Sequence, residues 1–205
     1  MRKRPDLYTN YKSESAIFST LTQKAWFTVL VFTSLLLPFY LNNYWMLLVT
    51  TSLLIAIASW GLNIVSGMAG QINLAHGVFV GIGAYTSAVI GGVATSSVIG
   101  FELDMIFWLP ISGIVSALIG IIISPVSARL KGLNLGLVTL AIVFIGSHFF
   151  SNLKFITGGA GLGRKAAKLK FLGVDLDSGL TIGNLILEKN DVIYYFSLIL
   201  CILLG

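Results

Sequence analysis

Between Gly61 and Gly77 the chain reads Gly-Leu-Asn-Ile-Val-Ser-Gly-Met-Ala-Gly-Gln-Ile-Asn-Leu-Ala-His-Gly, without a single charge. Gly61, Gly67 and Gly70 are placed to interrupt a helix, and an interrupted helix leaves backbone N–H and C=O groups free. At membrane depth such groups need partners, and irregular backbone persists only where it is buried in protein or lines a cavity. The chemistry open to Gly67, Gly70, Gln71, Asn73 and His76 is therefore weak, uncharged recognition of a passing solute. The competing reading is that the glycines let helices pack and the polar side chains pair with one another. On composition alone the packing reading stands first. Just downstream, Gly77-x-x-x-Gly81 and Ala84-x-x-x-Ala88, with Gly83 between them, form a small-residue face. Such a face admits a close neighbouring helix, so Gly77, Gly81, Gly83, Ala84 and Ala88 are read as packing residues.

Other chemistries find little support. An ionisable residue in a membrane span is a functional candidate, so His76 is read equally as a pathway residue and as a packing residue. His148, near the end of an apolar helix, reads as interfacial. No His-x-x-x-His pair and no cysteine or carboxylate cluster offers a metal site, and no cofactor is expected. The long apolar runs hold no Asp or Glu for a proton relay. Gly158-Gly-Ala-Gly-Leu-Gly-Arg164 lacks the Gly-Lys-Ser/Thr ending of a phosphate loop and reads as a loop. Cys201 is the single cysteine, which excludes an internal disulfide and suits a small packing residue.

The scaffold holding these residues is read from where charge is missing. Of 205 residues 56% are hydrophobic and 10% are charged, and the mean hydropathy is +0.92. Soluble domains carry roughly 25% charged residues, so a soluble globular chain and a disordered one are excluded. Asp, Glu, Lys and Arg are absent from Ala25 to Phe101, from Met105 to Ala128 and from Gly132 to Leu153. A spanning helix needs about 20 apolar residues, so these runs hold about three spans, one and one. The runs do not alternate as membrane β-strands do. The expected fold is an all-α polytopic membrane helix bundle of about six spans, with an irregular segment over 61–77.

The spans are expected at about Trp26–Phe39, Trp45–Trp60, Val78–Val93, Ile106–Ser124, Leu133–Phe150 and from Val192 onward. Pro110 falls in the first turn of the fourth and Pro125 just past its end. Residues 1–24 form a basic tail, and residues 25–205 the transmembrane domain. The net charge of +5 reflects basic flanks of apolar spans rather than nucleic-acid binding. The tail and the short Arg129/Lys131 loop are expected in the cytoplasm, and loop 151–191 outside. That loop carries a mild positive excess, which long loops tolerate. The last segment is short for a span, so the chain is expected to be truncated at its C-terminus.

Three motifs carry a resemblance. They are Gly61 to Thr86, Arg129-Leu-Lys-Gly-Leu-Asn-Leu-Gly-Leu-Val138-Thr139-Leu-Ala141, and Thr157-Gly-Gly-Ala-Gly-Leu162. In this order they resemble the branched-chain amino acid ABC transporter permeases, M-type. The Gly83-Ala-Tyr85-Thr86 wording leans to this branch over the related urea-type permeases. Members of the family commonly carry a Glu and a basic residue after the second motif, where this chain has Phe144 and Ser147. The resemblance implies a subunit forming part of a solute path and hydrolysing no ATP itself. It implies as partners an H-type second permease, two ATP-binding subunits and an extracytoplasmic substrate-binding protein. The implied location is the lipid bilayer of a bacterial or archaeal inner or plasma membrane. The alternatives are a urea/amide-type permease of the same superfamily and an ion-coupled secondary transporter, although acidic residues in the membrane are missing for the latter. An intramembrane enzyme would need a catalytic pair that the spans do not offer.

Overall fold

The structure is a computed structural model that describes residues 21–130, 132–159, 163–171, 173–176, 179–182 and 185–204. Residues 1–20 of the basic tail, Lys131 and residues 160–162 of the third motif lie outside the described residues. The chain divides into two compact units, Met1–Leu48 and Val49–Gly205.

Helix α1 covers Leu21–Tyr40, with Pro38 in its last turn. It begins before Lys24, which the sequence pattern assigns to the tail; a lysine stem can run along apolar surface while its ammonium reaches water. The Leu41 N–H closes the helix on Leu37 O at 3.0 Å, and the chain turns at once into α2, Asn43–Asn63.

In the second unit, α2 runs through Gly61 and ends in a π-helical turn, Ile64–Met68. The expected break at Gly61 is thus displaced, and the backbone leaves helical geometry only around 69–75. Helix α3, His76–Gly91, comes next, then α4, Met105–Arg129, and α5, Leu133–Asn152. Pro110 and Pro125 both lie inside α4, which passes beyond the end expected at Ser124. Proline removes one backbone donor, but in an apolar setting continued helix still satisfies the groups on either side. A short α6, Lys154–Thr157, precedes two small antiparallel hairpins. One pairs β1, Lys170–Phe171, with β2, Val174–Asp175; the other pairs β3, Leu180–Ile182, with β4, Leu185–Leu187. Helix α7, Lys189–Leu204, is the last element.

The fold is an all-α helical membrane bundle with these hairpins as its only β elements of strand length among the described residues. Among the described residues four helices are long and apolar enough to cross a bilayer: Leu21–Tyr40, Asn43–Met68, Met105–Arg129 and Leu133–Asn152. Helices α3 and α7, of 16 residues each, are shorter. Large apolar side chains such as Ile122 and Phe144 are exposed, as lipid-facing residues must be.

Helix α3 is the centre of the packing in this unit. It lies along α4 and touches α5. A Cβ on Gly81 would stand 2.8 Å from Phe150 Cε2, so only glycine lets the aromatic ring of α5 come this close. On the α4 side, Ser116 Oγ donates to Phe79 O at 3.3 Å, and a Cβ on Gly83 would lie 3.2 Å from that hydroxyl oxygen.

Candidate functional site

The break between α2 and α3 is built from a few hydrogen bonds. The Ala69 N–H donates to Ile64 O at 3.1 Å, five residues back, and this closes the π turn. Such turns are often found at functional sites. Gln71 N–H then reaches Val65 O at 3.2 Å. Between them Gly70 has φ +62°, in the left-handed region that favours glycine. A Cβ there would meet nothing within 4 Å, so conformation rather than space calls for glycine.

Beyond the break, Asn73 Oδ1 accepts the Ala75 N–H at 3.0 Å, an Asx turn leading into α3. Leu74 N–H donates to Thr139 Oγ1 at 3.3 Å, and the Thr139 hydroxyl donates to Gly136 O at 3.0 Å. Thr139 is buried. A donor freed by the loss of helix is thus satisfied by α5, as an apolar environment requires.

The pathway candidates are spread around this segment. Gly67 and Gly70 are exposed, whereas Gln71, Asn73 and His76 are half-buried. A Cβ on Gly67 would strike the Asn63 amide. The His76 ring lies beside Gly61, where a Cβ would be 3.5 Å from Cε1, and its Nε2 is buried without a hydrogen-bond partner. A cavity of about 590 Å³ runs between α3 and α5. Its lining includes Leu74, Gly77 and Val143, the Tyr85 and Phe150 rings, and Ser151, Gly159 and Gly163, with Leu74 and Gly77 themselves exposed. None of the five pathway candidates is among its described lining residues. Gly77, read from sequence as a packing residue, opens on it and meets nothing within 4 Å. Of the other packing candidates, Gly81 lies under Phe150, Gly83 near Ser116, Ala88 is buried and Ala84 is exposed.

No described lining residue is charged. The cavity volume falls within the range of about 300–1,000 Å³ typical of small-molecule sites. Arg164, next to Gly163, donates to Ile156 O at 2.9 Å and to Ile99 O. Its burial disfavours the charged form and lowers the guanidinium pKa from its ordinary value. His148 is exposed and pairs with Asn152 on its own helix. Among the described residues no group of three His, Cys, Asp or Glu could hold a metal ion.

Three residues of this region escape a reading of the sequence. Thr139 and Tyr85 stand within the motifs quoted above, so position in a motif was a usable signal. Phe150 had no signal beyond being aromatic near a helix end.

Four apolar helices of spanning length and an irregular polar segment between two helices define a multi-pass membrane protein. The chain belongs to the family described as branched-chain amino acid transport system / permease component, whose model matches residues 44–204. It is 32% identical over 143 residues to the high-affinity branched-chain amino acid transport system permease protein LivM of Salmonella typhimurium (strain LT2). It is likewise 32% identical over 143 residues to LivM of Escherichia coli (strain K12). Each match covers 69% of this chain and 32% of the relative, so the matched stretch spans about a third of the relatives' length. No solved structure matches the chain significantly.

Proposed function

We propose that the chain is a permease subunit of an ABC importer and forms part of the path for branched-chain amino acids. The observation that carries this reading is the uncharged break at 69–75, whose Leu74 and neighbouring Gly77 open on the cavity. Backbone N–H and C=O groups there can meet the carboxylate and ammonium of an amino acid without holding either tightly. Weak binding suits a route, because a tight site would slow release. Gly67, Gly70, Gln71, Asn73 and His76 are proposed to border that route. The names of the two relatives support the substrate class.

In this reading a second permease subunit completes the path, two ATP-binding subunits drive it and an extracytoplasmic binding protein delivers solute. The subunit itself catalyses no reaction. Residues 25–205 form the transmembrane part, with the N-terminus cytoplasmic and residues 151–191 outside, in the inner or plasma membrane of the cell.

The test is uptake by the complete protein with its partner subunits. Gln71→Leu and His76→Leu should lower leucine uptake while abundance and assembly stay unchanged. Normal uptake by both variants would make the segment a packing element.

A further inference from the structure

A second cavity, of about 540 Å³, runs along α3 on the other side of the stacked Tyr85 and Phe150 rings. Helix α3 is its floor, and α4 and α5 are its walls; both walls pack on α3 more than on each other. The result is an open trough, and Ile145 and Phe149 on its α5 wall are exposed. Along α3 it extends from Val78 to Val89 and along α5 from Ile142 to Leu153. Either stretch is roughly 17 Å long at the helical rise of 1.5 Å per residue. The hydrocarbon of one leaflet is half of a core about 30 Å thick, so roughly 15 Å deep. The lining makes almost no polar demand. The Thr86 and Thr157 hydroxyls donate to Ile82 O at 2.7 Å and Leu153 O at 3.0 Å, within their own helical turns. A zwitterionic solute would lose its hydration here and gain no partner. An α-helix of the same length, about 10 Å across, would occupy roughly 1,300 Å³. It would rest on the rim and leave a void beneath, forfeiting dispersion contacts that a slimmer hydrocarbon chain makes. The end formed by Leu153, Ile156 and Thr157 is basic. Lys154 follows Leu153 and is exposed, as is Lys165. Arg164 beside it binds the Ile156 and Ile99 carbonyls rather than a carboxylate. Lys168, whose N–H donates to Gly91 O at 3.2 Å, adds a fourth cation, against Glu102 and Asp104.

We propose that this trough is a phospholipid site. One acyl chain lies along α3 between α4 and α5, entering past Ile145 and Phe149. The phosphate sits at the Leu153 and Ile156 end, where Lys154 and Lys165 meet it. The acyl chain supplies the atoms that the walls of the trough lack, and the basic end fixes which way the lipid points. The site is separate from the path proposed above and does not depend on the importer reading.

The test uses the full protein with its partners in phosphatidylethanolamine nanodiscs. The probe is phosphatidylglycerol carrying a diazirine in the middle of one acyl chain, and captured residues are mapped by mass spectrometry. Ile82, Ile119 and Ile142, inside the trough, should be captured in preference to Ile122 on the exposed face of α4. Ile119→Phe, which puts a ring where the chain lies, should lower capture in the trough about fivefold or more, as overpacking does. Ile145→Trp changes an exposed rim residue without touching the helix packing, and should also lower it. Ile122→Trp should leave it unchanged. Lys154→Gln should lower capture about threefold to fivefold, the share of one cation near an anionic headgroup. With a diacylglycerol carrying the same diazirine, which has no phosphate, Lys154→Gln should have no effect. Capture at Ile122 but not in the trough would overturn the site and show that protein covers this face in the assembly. Trough capture indifferent to both Ile119→Phe and Ile145→Trp would overturn it as well. Equal sensitivity of both probes to Lys154→Gln would overturn the placement of the phosphate.

Discussion

The Leu74 amide donates to Thr139 Oγ1 at 3.3 Å, and this bond ties the irregular backbone before α3 to the middle of α5. Removing the hydroxyl while keeping the side-chain shape isolates its contribution. Thr139→Val should lower stability by about 0.5–2 kcal/mol, the range for a hydrogen bond in an apolar setting. Thr139→Ser, which keeps the oxygen, should lose less. Thermal unfolding of the purified protein in detergent measures both, and equal losses would show that the methyl group, not the bond, matters.

Gly81 and Phe150 should be coupled. Gly81→Leu forces a side chain into the ring and should cost about 1–3 kcal/mol by overpacking. It should therefore lower membrane abundance. In the Phe150→Ala background the same substitution should cost much less, because the obstructing ring is gone. A double-mutant cycle on the thermal midpoint reads the coupling. Additive effects would place the strain elsewhere.

At Gly70 the backbone rather than the space is restrictive, since φ is +62° and a Cβ would meet nothing within 4 Å. Gly70→Ala should cost about 1–2 kcal/mol from the left-handed conformation alone. Gly70→Asn should be milder and Gly70→Val worse. The order of thermal midpoints among the three variants is the check.

Arg164 bridges two carbonyls near the C-terminal end of α3. Arg164→Lys should weaken this clasp, since a point ammonium replaces a planar fork. Limited proteolysis after Lys165 or Lys168 should then speed up. The sign of the pH effect is set by burial, which lowers the guanidinium pKa in the folded chain. A base with a depressed folded pKa disfavours folding while both states are protonated, and the penalty lifts only as pH rises through that pKa. Arginine stays protonated far above neutrality, so the clasp should be insensitive to pH from about 5 to 9.

Positions on either side of α5 provide the topological test. Cysteines replacing Ala128 and Lys165 should label from opposite faces, the former from the cytoplasm, if the basic flanks set the orientation. Labelling from one face would refute that arrangement.

The helices themselves were legible because charge is costly in lipid, so uncharged runs such as Met105–Ala128 mark them directly. Their ends were less so. Pro125 and Gly61 are breakers in water, yet both lie inside helices here, where no water competes for the backbone. The faces that meet were not legible, because these helices are apolar all round and no polar stripe marks the solvent side. The tie from Leu74 to Thr139 joins residues 65 positions apart, which no local pattern encodes. The break was visible from its glycines and amides. The cavity beside it was not, since it depends on how α3 and α5 lean together.

The π turn at Ile64–Met68 has the geometry of a crank. Ala69 N–H now reaches Ile64 O, while the next carbonyl, Val65 O, is taken by Gln71 N–H. Moving the Ala69 donor one acceptor along, from Ile64 to Val65, would convert the turn to α-helix. Each α-helical residue advances about 100° around the axis, so absorbing one residue swings the downstream chain through roughly that angle. A switch between two adjacent acceptors would thereby be geared up into a large turn of the backbone entering 69–75, with α2 left wound behind it.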